Sequence, residues 1–159
     1  MARVDLQSGM TYLDLDSAEG KPIDNIQTHE ISDFESAQFR LYDKWGPTNE
    51  IRTNPMGRYN CHGLTFGGRR TQISTEAVNQ ILREDGYVEV PSTELKPGDA
   101  IIYWGPDGDA THSGIVVEKD MGLGIPRIVS KWGKYAEILH PANQCPYDFQ
   151  AARYYRVKP

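Results

Sequence analysis

YVEVPSTELKPGDAIIYWGPDGDATHSGIVVE, residues Tyr87–Glu118, holds three short runs of β-branched and aromatic residues cut apart by Pro, Gly and Asp. YVEV, AIIYW and HSGIVVE read as strands. Lys96-Pro97-Gly98-Asp99 is a turn that feeds the apolar run Ala100–Trp104, a hairpin signal. Downstream, RIVSKW (127–132) and AEILH (136–140) repeat the pattern, and RYYRV (153–157) supplies a last strand. Upstream the period changes to that of a helix. One helix begins near Ser74 with Glu76 in its first turn, buries Ala77, Val78, Ile81 and Leu82, and ends at Gly86. An earlier helix is expected from Asp33 to Trp45. Ser32 and Glu35 form its capping box, Phe34, Ala37, Leu41 and Trp45 its apolar face, and Gly46-Pro47 its end.

Helices followed by close-spaced strands argue for an α+β domain with an antiparallel sheet. Residues 31–159 read as that single domain. Residues 1–30 are acidic, with Asp14, Asp16, Glu19 and Asp24 around Gly20 and Pro22. They read as an N-terminal arm or irregular lead-in, with a short strand near Met10–Leu15.

The chain has 159 residues, with Lys+Arg 17 against Asp+Glu 22 and a net charge of −5. That balance argues against a sequence-independent grip on nucleic acid or on an anionic membrane, Arg69-Arg70 being a local exception. Hydrophobic residues make up 38% and aromatics 10%, enough to close a core. No run approaches the roughly 20 apolar residues of a membrane helix. MARVDLQSGM carries no apolar segment of the secretory kind, so the expected location is the cytoplasm, or outside by a signal-independent route.

Cys61 and Cys145 are the only cysteines, which leaves one bridge, two free thiols, or one thiol kept for its chemistry. Cys61 follows a turn-rich loop and opens CHGLTF, the first turns of a short helix. A thiol at a helix N-terminus is drawn toward thiolate, with a pKa brought from about 8.5 to between roughly 3.5 and 7.5. Gly63 would let a substrate backbone approach. His112 heads its strand, which puts the imidazole at the sheet end. A nucleophilic thiol needs such a base within hydrogen-bond reach, and the base needs an orienting group. The plainer alternatives are a buried structural cysteine and a surface histidine.

NCHGL (60–64), LKPGDAIIYW (95–104) and HSGIVV (112–117), in this order, resemble the NlpC-like and CHAP-like cysteine hydrolases. These are compact members of the papain-like group that cleave peptide or amide bonds, often in bacterial cell wall. The resemblance spans about Tyr42–His140. It implies a papain-like fold, N-terminal helices packed on a C-terminal antiparallel sheet. Cys61 would be the nucleophile and His112 its base, with no cofactor. The Cys61 backbone N–H and Tyr42 would serve the oxyanion, and Asn60 and His62 the substrate side. The substrate would be a peptide, a protein or peptidoglycan.

Two departures stand out. The family usually has Asp-Cys-Ser-Gly where this chain has Asn60-Cys61-His62-Gly63, and His62 reads as a packing or substrate-side residue. The third polar residue expected after the base is absent from RIVSKW as His, Asn, Gln or Glu. Ser130 is assigned that place, with Glu137 and His140 as alternatives.

Other readings stay open beside this one. A deamidase or transglutaminase-type toxin would use the same thioester chemistry on a protein target, with an immunity protein as partner. A non-catalytic module would use Tyr103, Trp104, Trp132 and Tyr135 as a binding groove. No metal is expected, because His29, His62, His112, His140, the cysteines and Asp107-Gly108-Asp109 lack ligand spacing. Cys145 reads as a free or part-buried thiol.

Overall fold

The structure, a computed structural model, describes residues 2–5, 10–119 and 123–159. The six runs read as strands all form, as β6 Tyr87–Val90, β7 Ala100–Trp104, β8 Ala110–Glu118, β9 Arg127–Lys131, β10 Glu137–Pro141 and β11 Ala152–Val157. With the short β4, Glu50–Ile51, they make one seven-stranded sheet in the order β4-β10-β9-β8-β7-β11-β6, every pair antiparallel. The domain is α+β.

The PGD turn acts as a structural clamp. Gly98 takes a positive φ of 95° that a side chain would resist. Asp99 Oδ2 accepts the Lys96 N–H at 2.8 Å, and both carboxylate oxygens accept from Arg156 of β11 at 2.6 Å. This joins the start of β7 to its neighbour. At the other end of the hairpin, β7 and β8 lose register between Tyr103 and Trp104. His112 sits opposite Tyr103, next to that irregularity.

The sheet is covered on both faces. On one face lie α2, Cys61–Phe66, and α3, Thr75–Glu84. The α3 helix starts at a Ser74 cap, and its Ala77, Val78 and Ile81 are buried. Val78 meets Ile102 and Ala110 of the sheet. On the other face a larger core gathers Ile101, Tyr103, Val116, Ile128, Trp132, Ile138 and Cys145, with Tyr42, Trp45, Tyr135 and Tyr147 packed at its margin. Tyr103 and Trp132 are therefore core residues rather than the walls of a groove.

The first expected helix is shorter than its pattern. The capping box forms, but α1 spans only Asp33–Gln38, and the chain continues as a 3₁₀ helix over Phe39–Thr48. Phe34 and Leu41, two of the four residues assigned to its apolar face, are exposed. The residues that pack instead are Phe39, Tyr42 and Trp45, spaced by three. A 3₁₀ helix has three residues per turn, so that spacing lines one face, whereas an α-helix would splay it. Aromatic burial against Tyr135 and Trp132 has overridden the α pattern.

The acidic lead-in is tied into the domain. β1 (Ala2–Asp5) pairs with β2 (Met10–Leu13), and β3 (Asn25–Ile26) pairs with β5 (Gln72–Ile73). Asn25 is buried and bridges Leu13, Ile23 and Thr71 through its amide. Ile23 packs with Ile73, Ala77 and Ile81. Among the described residues, no helix is long and apolar enough to cross a membrane.

Candidate active site

Asn60 caps α2. Its Oδ1 accepts the N–H of Gly63 at 2.8 Å and that of Ile73 at 3.0 Å, while Nδ2 donates to the Ile73 carbonyl at 2.9 Å. Both ends of the amide are thus occupied in joining α2 to β5, and the substrate-side role expected for Asn60 gives way to a structural one. Gly63 likewise leaves no space for substrate. A Cβ there would lie 1.8 Å from the Thr71 carbonyl oxygen, so the glycine permits close packing of chain on chain.

Cys61 opens α2 and is buried at 9% exposure. The expected drift toward thiolate is reversed, because burial pushes the thiol up to about 11. Backbone N–H groups of Ser113, His62 and Cys61 and the Lys131 cation act the other way without offsetting it. A six-residue helix contributes little field, so desolvation wins. The sulfur faces the N–H of Ser113, the residue after His112.

His62 is locked between α2 and β8. Its Nε2 lies 3.0 Å from the Ala110 carbonyl and its Nδ1 2.8 Å from Ser113 Oγ. A carbonyl only accepts, so Nε2 carries the proton and Nδ1 accepts from the serine. Thr65 Oγ1 donates to the Cys61 carbonyl at 2.9 Å and lies 2.9 Å from Ser113 Oγ, extending the same network. Burial holds His62 down to about 4, a neutral packing residue.

His112 is fully buried, yet neither ring nitrogen has a hydrogen-bond partner among the described residues. Cys61 and His112 are accordingly not hydrogen-bonded to each other. The imidazole lies parallel to the Tyr147 ring, with centroids 3.8 Å apart and planes 5° from coplanar. Burial, then His140 and His62, hold it well below its ordinary pKa.

The three candidates for a third residue are all committed elsewhere. Ser130 Oγ lies 2.7 Å from His140 Nε2 and accepts from Trp132 Nε1 at 3.0 Å. His140 Nδ1 lies 2.8 Å from the Pro141 carbonyl, so Nε2 is the bare nitrogen and Ser130 donates to it. Glu137 accepts from Tyr59 Oη and, in a two-pronged contact, from Arg69 Nε and Nη2, the latter at 2.9 Å. The assignment of Ser130 as the group orienting His112 does not survive this geometry.

Tyr42 packs edge-on against Trp132 at 5.1 Å and stacks on Tyr135 at 5.3 Å. Burial, then the charge of a Cys61 thiolate, raises its pKa. Sequence reasoning gave two neighbours no role. Lys131 is fully buried, donating to the carbonyls of Met56 at 2.7 Å and Gly133 at 2.8 Å, with its ammonium 5.2 Å from the Tyr59 ring centroid. Burial lowers it to about 8, against the pull of Glu137 and a Cys61 thiolate. Tyr147 is the second, and its loop position, NQCPYD, carries no periodic signal.

Cys61 and Cys145 are free thiols, and no group of three potential metal ligands occurs among the described residues. No family model, no curated protein and no solved structure matches the chain.

Proposed function

We propose that this protein is a thiol hydrolase of the papain-like, NlpC-like or CHAP-like kind, cleaving a peptide or amide bond through Cys61 and His112. The observation that carries the reading is a fully buried imidazole with two unpartnered nitrogens, one residue before Ser113, whose backbone N–H faces the buried Cys61 thiol. Orphaned polar atoms in a core are costly, and a catalytic role is one of the few reasons to keep them.

In this mechanism His112 accepts the Cys61 thiol proton as sulfur attacks the carbonyl carbon. The Cys61 backbone N–H and the Tyr42 hydroxyl face the developing oxyanion. Collapse expels the amine, which takes the proton from His112, and water then hydrolyses the thioester. With the thiol at about 11, little free thiolate exists at neutral pH, so proton transfer must accompany attack. Peptidoglycan peptides fit the resemblance best as substrate.

The test pairs muropeptide digestion with Cys61 alkylation by iodoacetamide, resolved by peptide mass spectrometry. Cys61→Ala should abolish cleavage with the fold intact. His112→Ala should slow alkylation of Cys61 near pH 7.5 by about 10²-fold. Alkylation indifferent to His112 would overturn the pair. Intact muropeptides together with ammonia released from a protein target would replace hydrolysis by deamidation.

A further inference from the structure

A base that works on Cys61 must hold its ring in one plane, and among the described residues no hydrogen bond does so. Ser130 and His140 satisfy each other, and Glu137 is held by Tyr59 and Arg69. What constrains the imidazole is aromatic. Tyr147 covers one side of it in a parallel stack, and Tyr103 packs nearby at 5.5 Å and 47°.

The segment that carries Tyr147 is itself anchored. Tyr103 Oη donates to the Ala142 carbonyl at 2.6 Å. The Cys145 thiol lies 3.6 Å from that same oxygen and 3.9 Å from the Tyr147 carbonyl. Cys145 is therefore part of the clip that sets Tyr147 over His112. Burial, then the charge of a Cys61 thiolate, raises the Tyr147 pKa.

We propose that Tyr147 is the positioning residue of His112, fixing the imidazole plane by ring stacking where a triad would use a polar side chain. The proposal rests on the Cys61–His112 reading above. A stack fixes the plane while leaving both nitrogens free, whereas a hydrogen-bonding partner occupies one and sets the tautomer. The titratable groups facing the pair are Tyr103 from β7, Lys131 from β9, His140 from β10, His62 from α2, Tyr42 from the 3₁₀ helix, and Cys145 with Tyr147 from the loop.

The experiment measures Cys61 alkylation by iodoacetamide from pH 6 to 10 in the full chain, for the unsubstituted protein, Tyr147→Phe, Tyr147→Leu and Tyr147→Ala. Ring nitrogen chemical shifts of His112 are followed by NMR in the same samples. Tyr147→Phe keeps the stack and should stay within about twofold in rate. Tyr147→Leu keeps an apolar cover without a flat ring and should slow alkylation near pH 7.5 by about tenfold, toward the His112→Ala level. Tyr147→Ala should do the same while moving the His112 titration up toward its ordinary value. If the alanine variant does not fold, the Phe and Leu pair decides. Faster alkylation in Tyr147→Leu or Tyr147→Ala would make Tyr147 a mere cover and overturn the proposal, as would an unchanged rate. Failure of His112→Ala to slow the unsubstituted protein would instead sink the pair itself, so the two failures are distinguishable.

Discussion

Asn60 shows how one side chain serves two elements. Its amide caps α2 at Gly63 and holds the backbone of Ile73 on β5 from both sides. Asn60→Ala removes the cap, worth about 1 kcal/mol, and strands the Ile73 N–H at a further cost of about 1–3 kcal/mol. Urea unfolding should therefore show a loss of about 2–4 kcal/mol. A loss within about 0.5 kcal/mol would mean that water replaces the amide at both places. Cys61 illustrates the opposite lesson. The residue type and its helix-start position were legible in the sequence, but its proton affinity was not. Burial sets that affinity, and the buried surroundings come from β8, β9 and the 3₁₀ helix.

At the scale of elements, strands β9 and β10 bring Ser130, Trp132 and His140 into one satisfied chain. Trp132 donates to Ser130, Ser130 to His140, and His140 to the Pro141 carbonyl. Ser130→Ala orphans the indole N–H and the imidazole nitrogen together, and should cost about 2–4 kcal/mol in stability. Activity at a temperature where the variant is folded should remain, since Ser130 does not touch His112. Loss of turnover in a fully folded Ser130→Ala protein would restore Ser130 to the catalytic group. The strands themselves were read correctly because β-branched runs cut by Pro, Gly and Asp are local signals. The first helix was overread because an i, i+3, i+4 pattern in Phe34, Ala37, Leu41 and Trp45 competes with an i, i+3 aromatic row in Phe39, Tyr42 and Trp45. Only the presence of Tyr135 and Trp132 opposite that row resolved the contest.

The whole molecule buries three histidines, His62 on α2, His112 on β8 and His140 on β10. Burial holds His62 and His140 down to about 4 and His112 well below its ordinary value. In the unfolded chain each would titrate near about 6.5. Below that pH the unfolded state gains protons that the folded state refuses. Stability is thus complete above about 6.5 and declines as pH falls toward 4, with a slope reaching about 4 kcal/mol per pH unit for three sites. Glu137 adds to the loss further down in pH, because Arg69 and Tyr59 outweigh burial and lower its pKa. Urea midpoints between pH 7.5 and 4.5 measure this, and His140→Asn should reduce the slope by about a third. A flat profile across that window would show that the histidines are not buried neutral.

His112 is the third residue of β8 rather than its head, but the order of elements, the antiparallel sheet, the turn at Gly98 and the placement of Cys61 at the start of α2 were determined by the sequence itself. Each follows from local propensity, a turn conformation or a period of two or 3.6, and these act over a few residues. The tertiary structure alone decided which polar groups meet. It took Asn60, His62 and Ser130 into hydrogen-bond networks, left the His112 ring nitrogens without a partner among the described residues, and set Tyr147 against that ring. Those outcomes depend on which backbone carbonyls and rings come within a few ångströms across distant segments, and no local signal carries that information.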